Sequence, residues 1–281
     1  MKTAMVLRSL ILSLLVAGLP APLQASLPPP KIHGQIAILF DVNTGEILYK
    51  KNDTAPTPVA STQKLLTALV VAKAGSLDTP VTIEKSDTLA APVKLYLKEG
   101  DIYSRRALVQ ALLVRSPNDV AVALARDNAG SVEAFAEKMN REAKRLGAKQ
   151  SNFVNPNGLP DPAQISSARD LACIARAAYR NPDLRSMINI KKMDFAFTDG
   201  RMTTLTNTNR VLQNYSFCNG MKTGYTILSG HCLVASGSAG GRELIAIVLK
   251  SNKAHVWNDA ASLLEYGLGI NREQYVNTVA N

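Results

Sequence analysis

The chain has 281 residues, enough for one large domain or two small ones, and 46% of them are hydrophobic while 19% are charged. This composition is typical of an ordinary globular protein with a buried core. Lysine and arginine outnumber aspartate and glutamate by 32 to 22. No finger, RNP or helix-turn-helix signature accompanies the positive charge, so we expect no nucleic-acid partner.

The amino terminus is typical of a secretory signal peptide. Lys2 and Arg8 accompany a short apolar run, residues 10–19, and the small-residue pattern of a cleavage site ends at Ala25. The run is too short to cross a bilayer, which takes about 20 residues. We expect residues 1–25 to be removed and the mature chain, without a transmembrane segment, to be exported to the periplasm or cell envelope. An uncleaved membrane anchor is the alternative.

The first part of the mature chain reads as a linker, a hairpin and then helices. Residues 26–31 form a proline-rich linker, and the segment after them is patterned as a β-hairpin with its turn at residues 43–45. A helix is predicted to begin at Ser61, and another to begin at Ser167, with Asp170 completing a capping box. Further amphipathic helices are predicted at residues 105–114, 119–127 and 132–146.

Strand patterns return late in the chain. Three β-rich segments, GMKTGYT, HCLVASGS and ELIAIVLK, are separated by turn residues, and a final helix is predicted at residues 254–266. Two strands at the start and three at the end predict an α/β (α+β) fold. It would hold one antiparallel sheet of about five strands, flanked by helices, with an inserted helical subdomain. We expect this domain to cover residues 32–270, followed by a tail, residues 271–281.

The three cysteines do not predict a metal site. Cys173 lies in an apolar run and is expected to be a buried small residue, whereas Cys218 and Cys232 are free to pair or to stay reduced. The three histidines are scattered along the chain. We therefore expect no metal.

Ser61 and Lys64 stand three residues apart at the start of an apolar run. On a helix, residues i and i+3 share a face, so the hydroxyl and the amine are able to meet. A serine hydroxyl is a poor nucleophile until a base takes its proton. A lysine serves as that base only if desolvation or a second cation lowers its pKa. Taken alone, S-x-x-K also fits a helix cap followed by a surface lysine.

Two later segments complete an ordered set of motifs. Ser116-Pro117-Asn118 lies between two predicted helices, and Lys222-Thr223-Gly224 lies in a predicted strand. The order S-x-x-K, S-x-N, K-T-G is that of penicillin-binding proteins and serine β-lactamases. With FDVNTGEILYKKN, LKEGD, SPNDVAVALA, SSARDLA, LTNTN and GMKTGYT, the chain resembles the low-molecular-mass serine D-alanyl-D-alanine carboxypeptidases, peptidase family S11, over roughly residues 32–268.

The resemblance implies a fold of the serine β-lactamase and DD-peptidase type. It also implies a serine DD-peptidase that removes the terminal D-alanine from peptidoglycan stem pentapeptides, as a monomer and without a cofactor. Ser61 would form the acyl-enzyme and Lys64 would take its proton. Ser116 would pass a proton to the leaving amine, and Asn118 would hold Lys64 and the substrate backbone. β-Lactams would acylate the same serine as covalent inhibitors.

The resemblance also implies a set of substrate-binding residues. Lys222, Thr223 and, nearby, Arg169 would meet the terminal carboxylate, and Gly224 belongs to the same motif. The backbone N–H groups of Ser61 and Tyr225 would form the oxyanion hole.

Three other residues are expected to have structural roles. His231 is interpreted as a strand histidine near the cleft, and Trp257 is expected to pack the final helix against the sheet. Asp119 is expected to start a helix.

Three other functions share these motifs. A β-lactamase needs a glutamate before the K-T-G strand for deacylation, and no glutamate occurs between Glu142 and Glu243; Asp161 or Asp170 would have to replace it. An endopeptidase that cuts D-alanyl cross-links is favoured by the short C-terminal segment and by GHCLV, whereas SPNDVAVALA favours a carboxypeptidase. A non-catalytic sensor is disfavoured because every expected catalytic residue is present. We expect a carboxypeptidase, with the endopeptidase as the nearest alternative.

Overall fold

The computed structural model describes residues 28–277. The predicted signal peptide, the start of the linker and the end of the predicted tail lie outside this range. The strands are β1 (Ile36–Asp41), β2 (Ile47–Lys51), β3 (Pro80–Thr82), β4 (Ile102–Ser104), β5 (Lys192–Ala196), β6 (Met202–Thr206), β7 (Cys218–Thr226), β8 (Gly230–Ala239) and β9 (Arg242–Ser251). The α-helices are α1 (Lys64–Lys73), α2 (Lys85–Thr88), α3 (Arg105–Val114), α4 (Asn118–Ala129), α5 (Val132–Arg145), α6 (Ala168–Arg180), α7 (Pro182–Met187), α8 (Arg210–Asn214) and α9 (Val256–Leu268).

Five strands form one antiparallel sheet in the order β2-β1-β9-β8-β7, which confirms the predicted fold class. The first hairpin turns where expected. The Asp41 carboxylate accepts hydrogen bonds from the backbone N–H groups of Asn43 and Thr44, at 2.8 and 2.9 Å, and Gly45 adopts a φ of +80°. Strand β7, which carries the K-T-G motif, lies at one edge of the sheet.

The sheet separates two hydrophobic cores. Along β1, Ile36, Ile38 and Phe40 face the core built with the helices α1 and α3 to α7, whereas Ala37 and Leu39 face the core built with α8 and α9. This alternation follows from the period of two in a strand. Helices from the segment between β2 and β7 thus cover one face of the sheet, whereas α9, joined by the short α8, covers the other.

Helix starts differ from the predictions in two places. The helix expected at Ser61 begins with a 3-10 turn, Ala60–Gln63, and becomes α-helical at Lys64. At the start of α6, the Ser167 hydroxyl accepts a hydrogen bond from the Asp170 N–H at 3.1 Å. The Asp170 carboxylate, however, accepts from the Gln150 N–H and the Ser151 hydroxyl, each at 2.7 Å, so the predicted capping box is only half formed.

Two small sheets between β2 and β7 were not predicted. Strands β3 and β4 pair over three residues each, which is too short to show a period of two. Strands β5 and β6 form a longer hairpin in which Phe195 and Leu205 are buried. The turn at Asp199-Gly200 was an available signal for this hairpin.

The three cysteines are unpaired thiols. Cys218 and Cys232 are buried in neighbouring strands of the sheet without a disulfide between them. Cys173 was predicted to be a buried small residue; it is half-buried on α6, where it packs against the core and meets the loop at Gly147. Within residues 28–277, no helix has the length and apolar character needed to cross a membrane.

Candidate active site

Ser61 and Lys64 meet at the first turn of α1. The Lys64 Nζ lies 2.9 Å from the Ser61 Oγ, as the spacing of three residues predicts. The lysine side chain is fully buried, with 0% of the residue exposed. Ala60, just before the serine, has a φ of +49°, so no continuous helix runs into the serine turn, and Ser61 lines a cleft.

The Lys64 amine has two further partners. Its Nζ donates to the Asn118 Oδ1 at 2.7 Å and to the Asn157 carbonyl oxygen at 2.8 Å. With the Ser61 Oγ, three oxygen atoms thus surround the amine. A neutral amine has two N–H donors and one lone pair, so once the Asn118 and Asn157 oxygens take both donors, its lone pair can accept the serine proton.

Burial and a second cation both favour that neutral form. Burial is the larger cause and Lys222 the second, and together they hold the pKa of Lys64 well below its usual range. The buried Asp119 opposes the shift and raises the pKa of Lys64 to a smaller extent. These are the two influences that sequence reasoning required of a lysine base.

The Asn157 carbonyl was not predicted as part of the site. It belongs to the loop NPNG and also accepts a hydrogen bond from the Ser61 hydroxyl at 3.2 Å. Gly158, which follows, has a φ of +86°, and a Cβ there would lie 2.2 Å from the Ala60 carbonyl oxygen. The only sequence signal was a cluster of turn residues, which indicates a loop but not its contacts.

The segment Ser116-Pro117-Asn118 enters the cleft from between α3 and α4. The Asn118 amide Nδ2 donates to the carbonyl oxygens of Ala91 and Pro92, at 3.0 and 2.9 Å. This fixes its Oδ1 toward Lys64. Ser116 has a φ of +69°, and its hydroxyl is buried without a hydrogen-bond partner among residues 28–277, so it is free to bond a ligand.

The K-T-G segment of β7 forms the opposite wall. The Thr223 Oγ1 lies 2.6 Å from the Thr208 Oγ1, and the Lys222 Nζ donates to the Thr223 carbonyl oxygen at 3.1 Å. Burial lowers the pKa of Lys222 to about 7. A Cβ on Gly224 would lie 2.9 Å from the Ser61 nitrogen, so a glycine here lets β7 pass directly beside the serine turn.

Tyr225 and His231 form the rim of this wall. Tyr225 is 58% exposed, and its ring lies 4.4 Å from the His231 ring, centroid to centroid. Burial, followed by the nearby Lys253, lowers the pKa of His231. His231 also lines the cleft, so the predicted position of this strand histidine is confirmed.

These elements enclose a cleft of about 540 Å³. Its walls include Ser61, Ser116, Asn118, Thr223, Gly224 and Tyr225, so the structure brings these predicted site residues together. Lys64 and Lys222 lie buried behind them. Neither Asp161 nor Asp170 lines the cleft, which leaves no replacement there for the glutamate of a β-lactamase.

Arg169 is the predicted residue that the structure does not bring to the cleft. Arg169 lies at the start of α6, and its guanidinium is 2.5 Å from the Asp53 carboxylate. Two other arginines, Arg115 and Arg210, line the cleft instead. Arg115 directly precedes the S-x-N motif and Arg210 directly follows LTNTN; proximity to those motifs was the signal that sequence reasoning missed.

Trp257 and Asp119 have structural positions close to those predicted. Trp257 packs half-buried against the core beneath α9, and it also lines the end of the cleft under the Arg210 guanidinium. Asp119 is the second residue of α4, where its fully buried carboxylate accepts backbone hydrogen bonds from residues 95–97.

The buried Lys222 predicts a pH dependence. We expect kcat/KM for a substrate that ends in a carboxylate to fall as pH rises through about 7, because the free enzyme then loses the positive charge of Lys222 behind the cleft wall. A bound carboxylate raises the pKa of Lys222, so the alkaline limb of kcat should lie at higher pH. Profiles of both constants from pH 5 to pH 10 test this; a kcat/KM that stays flat above pH 7 would contradict it.

Known proteins resemble the chain over most of its length. The profile of the D-alanyl-D-alanine carboxypeptidase family, Peptidase_S11, matches residues 23–253. The carboxypeptidase DacF of Bacillus subtilis is 31% identical over 75% of this chain and 56% of its own length, so the chain spans little more than half of that relative. A D-alanyl-D-alanine endopeptidase of Pseudomonas aeruginosa is 33% identical over 81% of this chain and 77% of its own length.

A solved structure supports the same assignment. The D-alanyl-D-alanine carboxypeptidase of Mycobacterium tuberculosis superposes with a TM-score of 0.82 and 31% sequence identity, covering 91% of this chain and 97% of that one. Sequence profile, relatives and architecture agree. The chain belongs to the serine D-alanyl-D-alanine carboxypeptidase family, peptidase family S11.

Proposed function

We propose that this protein is a serine DD-peptidase that removes the terminal D-alanine from peptidoglycan stem pentapeptides. The observation that carries the proposal is the buried Lys64 amine, 2.9 Å from the Ser61 hydroxyl, with its pKa lowered by burial and by Lys222. A neutral lysine in that position is a general base directed at one hydroxyl.

Acylation begins when Lys64 takes the proton of Ser61. The serine oxygen then bonds to the carbonyl carbon between the two D-alanines, and the backbone N–H groups of Ser61 and Tyr225 stabilise the oxyanion. The C–N bond breaks as the leaving amine receives a proton through the Ser116 hydroxyl, whose position is buried and otherwise unpartnered. Free D-alanine leaves and the peptide remains esterified to Ser61.

Deacylation uses the same base. Lys64 takes a proton from a water molecule, the hydroxide adds to the ester carbon, and Ser61 leaves with a proton returned from Lys64. Asn118 keeps the amine aligned through both steps, because its Oδ1 accepts from the Lys64 Nζ at 2.7 Å.

The substrate carboxylate is the group that selects the terminal residue. Thr223 lies on the wall next to Ser61, Lys222 is buried behind that wall, and Gly224 allows the close approach. We assign the carboxylate to this wall. We do not assign Arg169 to carboxylate binding, because its guanidinium is held by Asp53.

β-Lactams fit the same site as covalent inhibitors because their amide carbonyl and carboxylate mimic those of the substrate. We further propose that residues 1–25 direct export, that residues 32–270 form the catalytic domain, and that the protein acts as a monomer in the periplasm or cell envelope. The positive charge of the chain suits an anionic wall.

An endopeptidase acting on D-alanyl cross-links is the second candidate. It is favoured by a second cavity that shares Arg115 with the cleft, and one relative bears that name. Both functions use the same acyl-enzyme, and they differ in what leaves: a single D-alanine or a stem peptide.

A digest of purified muropeptides tests the proposal. The wild-type protein should shorten monomeric pentapeptides by one alanine, read by mass, and should be labelled covalently by penicillin. The Ser61→Ala variant should do neither, since subtilisin loses about 10⁶-fold in kcat without its nucleophile. Persistent labelling of the folded Ser61→Ala variant would refute the nucleophile assignment.

A further inference from the structure

A second cavity opens beside the catalytic cleft. It measures about 600 Å³ and lies between the loop at residues 94–96, the end of α3 and the β5–β6 hairpin. Arg115 belongs to the walls of both cavities. The segment made of β6 and the two residues after it also runs along both cavities: residues 203–205 line the second cavity, and residues 206–208 line the cleft. We call this second cavity the β6 groove.

The β6 groove continues from the leaving-group side of the cleft. Arg115 immediately precedes Ser116, the proposed proton donor to the leaving amine. On the other side, the Thr208 Oγ1 lies 2.6 Å from the Thr223 Oγ1, at the proposed carboxylate site. A leaving group longer than one residue would therefore extend from Ser116 and Thr223 into this groove.

The walls of the β6 groove are cationic. Within residues 28–277 they carry Lys94, Arg115 and Arg201 and no acidic residue. Arg201 is neutralised by Asp199 at 2.8 Å, and the Lys94 ammonium donates to the Thr88 carbonyl at 3.0 Å. The exposed Arg115 guanidinium has neither hydrogen bond nor ion pair with any described residue, so it is available to a ligand carboxylate.

The chemistry of the two candidate substrates differs at this point. A terminal D-alanine ends at its own carboxylate and leaves the β6 groove empty. In a cross-linked dimer, the leaving amine belongs to an acceptor stem peptide, which continues past that carboxylate and bears further carboxylates. The volume of the groove lies within the roughly 300–1,000 Å³ of small-ligand pockets.

We propose that the β6 groove binds the acceptor stem peptide of a cross-linked dimer, and that Arg115 is a specificity-determining residue that pairs with a carboxylate of that peptide. This inference rests on the proposed function and extends it to a peptide leaving group. Ser61 bonds to the D-alanyl carbonyl of the donor, the C–N bond of the cross-link breaks, and the acceptor amine takes the proton. Water then releases the donor peptide.

The test compares two substrates in one enzyme. We expect the ratio of kcat/KM for a cross-linked dimer to that for a pentapeptide monomer to fall about tenfold in Arg115→Gln, and further in Arg115→Glu. Arg210→Gln, an exposed arginine that lines the cleft but not the β6 groove, is the matched control and should keep the wild-type ratio.

A modified substrate separates charge pairing from a structural effect. Amidating only the acceptor carboxylates that lie beyond the one next to the cleaved bond should slow dimer cleavage by the wild type about tenfold but leave cleavage by Arg115→Gln unchanged. The inference is overturned if both Arg115 variants keep the wild-type ratio, or if the wild type cleaves pentapeptides and not dimers. Failure of the proposed function would look different: no penicillin acylation and neither substrate cleaved.

Discussion

Replacing Lys64 by methionine is expected to slow acylation of Ser61 by penicillin about 10³- to 10⁴-fold, the upper range for loss of a positioned general base. Methionine nearly fills the space of the buried lysine stem but accepts no proton from the serine. The Ser61 hydroxyl would keep its contact with the Asn157 carbonyl, so it would stay in place and stay protonated.

Labelling rates with a fluorescent penicillin measure this effect. The matched control is Lys73→Met, a lysine of the same helix whose ammonium pairs with Glu142 at 2.8 Å far from the serine. That variant should acylate at the wild-type rate. A folded Lys64→Met protein that acylates within tenfold of the wild type would exclude lysine as the base.

The same variant should change how stability depends on pH. The folded-state pKa of Lys64 is lowered, so between that value and about 10.5 the unfolded chain binds more protons than the folded one. Wild-type stability therefore gains with rising pH from this group. Lys64→Met lacks that gain, and its unfolding free energy relative to the wild type should decline as pH rises toward 10.

Removing the carboxylate of Asp119 should produce the largest loss of stability. The carboxylate is fully buried and accepts hydrogen bonds from the N–H groups of Leu95, Tyr96 and Leu97, at 2.8 to 3.3 Å. Each buried donor left without a partner costs about 1–3 kcal/mol. With Leu95 and Leu97 both buried, Asp119→Ala should lower the free energy of unfolding by about 3 kcal/mol or more.

Activity should fall with it, because the loop that Asp119 anchors also holds the S-x-N motif. The Val93 carbonyl accepts the Asn118 N–H at 2.7 Å, and the Ala91 and Pro92 carbonyls hold the Asn118 amide. Once the loop loosens, the Asn118 Oδ1 is no longer fixed on Lys64.

Denaturant unfolding and penicillin labelling together check this prediction. Asp119→Asn keeps one acceptor oxygen and should lose clearly less stability than Asp119→Ala. Asp127→Ala, on the same helix, breaks an ion pair with Arg105 whose side chains are 14% and 16% exposed. It should cost less than Asp119→Ala, because it leaves one guanidinium, and not several buried N–H groups, without a partner. Equal losses in Asp119→Ala and Asp127→Ala would show that the buried carboxylate does not anchor the loop.

Local sequence patterns were sufficient to predict structures that depend only on residues close together in the chain. The turn at Gly45 and the helices α3 and α5 were predicted from residues within one element. The pairing of Ser61 with Lys64 is also local, since it needs only a helical turn. The short strands β3 and β4 were missed because three residues are too few to show the period of two that identifies a strand.

Contacts between distant segments were decided by the tertiary structure. The Asn157 carbonyl reaches Lys64 across 93 positions in the sequence, and no local pattern distinguishes that loop from any other. Arg169 resembled a carboxylate ligand until Asp53, 116 positions away, proved to hold it. Arg115 and Arg210 reached the cleft instead, because α3 ends and α8 begins at its rim.

The sequence by itself determined the fold class, the segments that form the five-stranded sheet and the motifs that carry the candidate site residues. Only the tertiary structure decided the state of Lys64, because its pKa depends on the burial supplied by other elements and on the charge of Lys222 in β7. It also decided where the cleft continues, since the β6 groove is formed by three segments far apart in the chain. The chemistry of a side chain is given by the residue type at its position, whereas its dielectric environment and the shape of a cavity arise only when distant segments pack together.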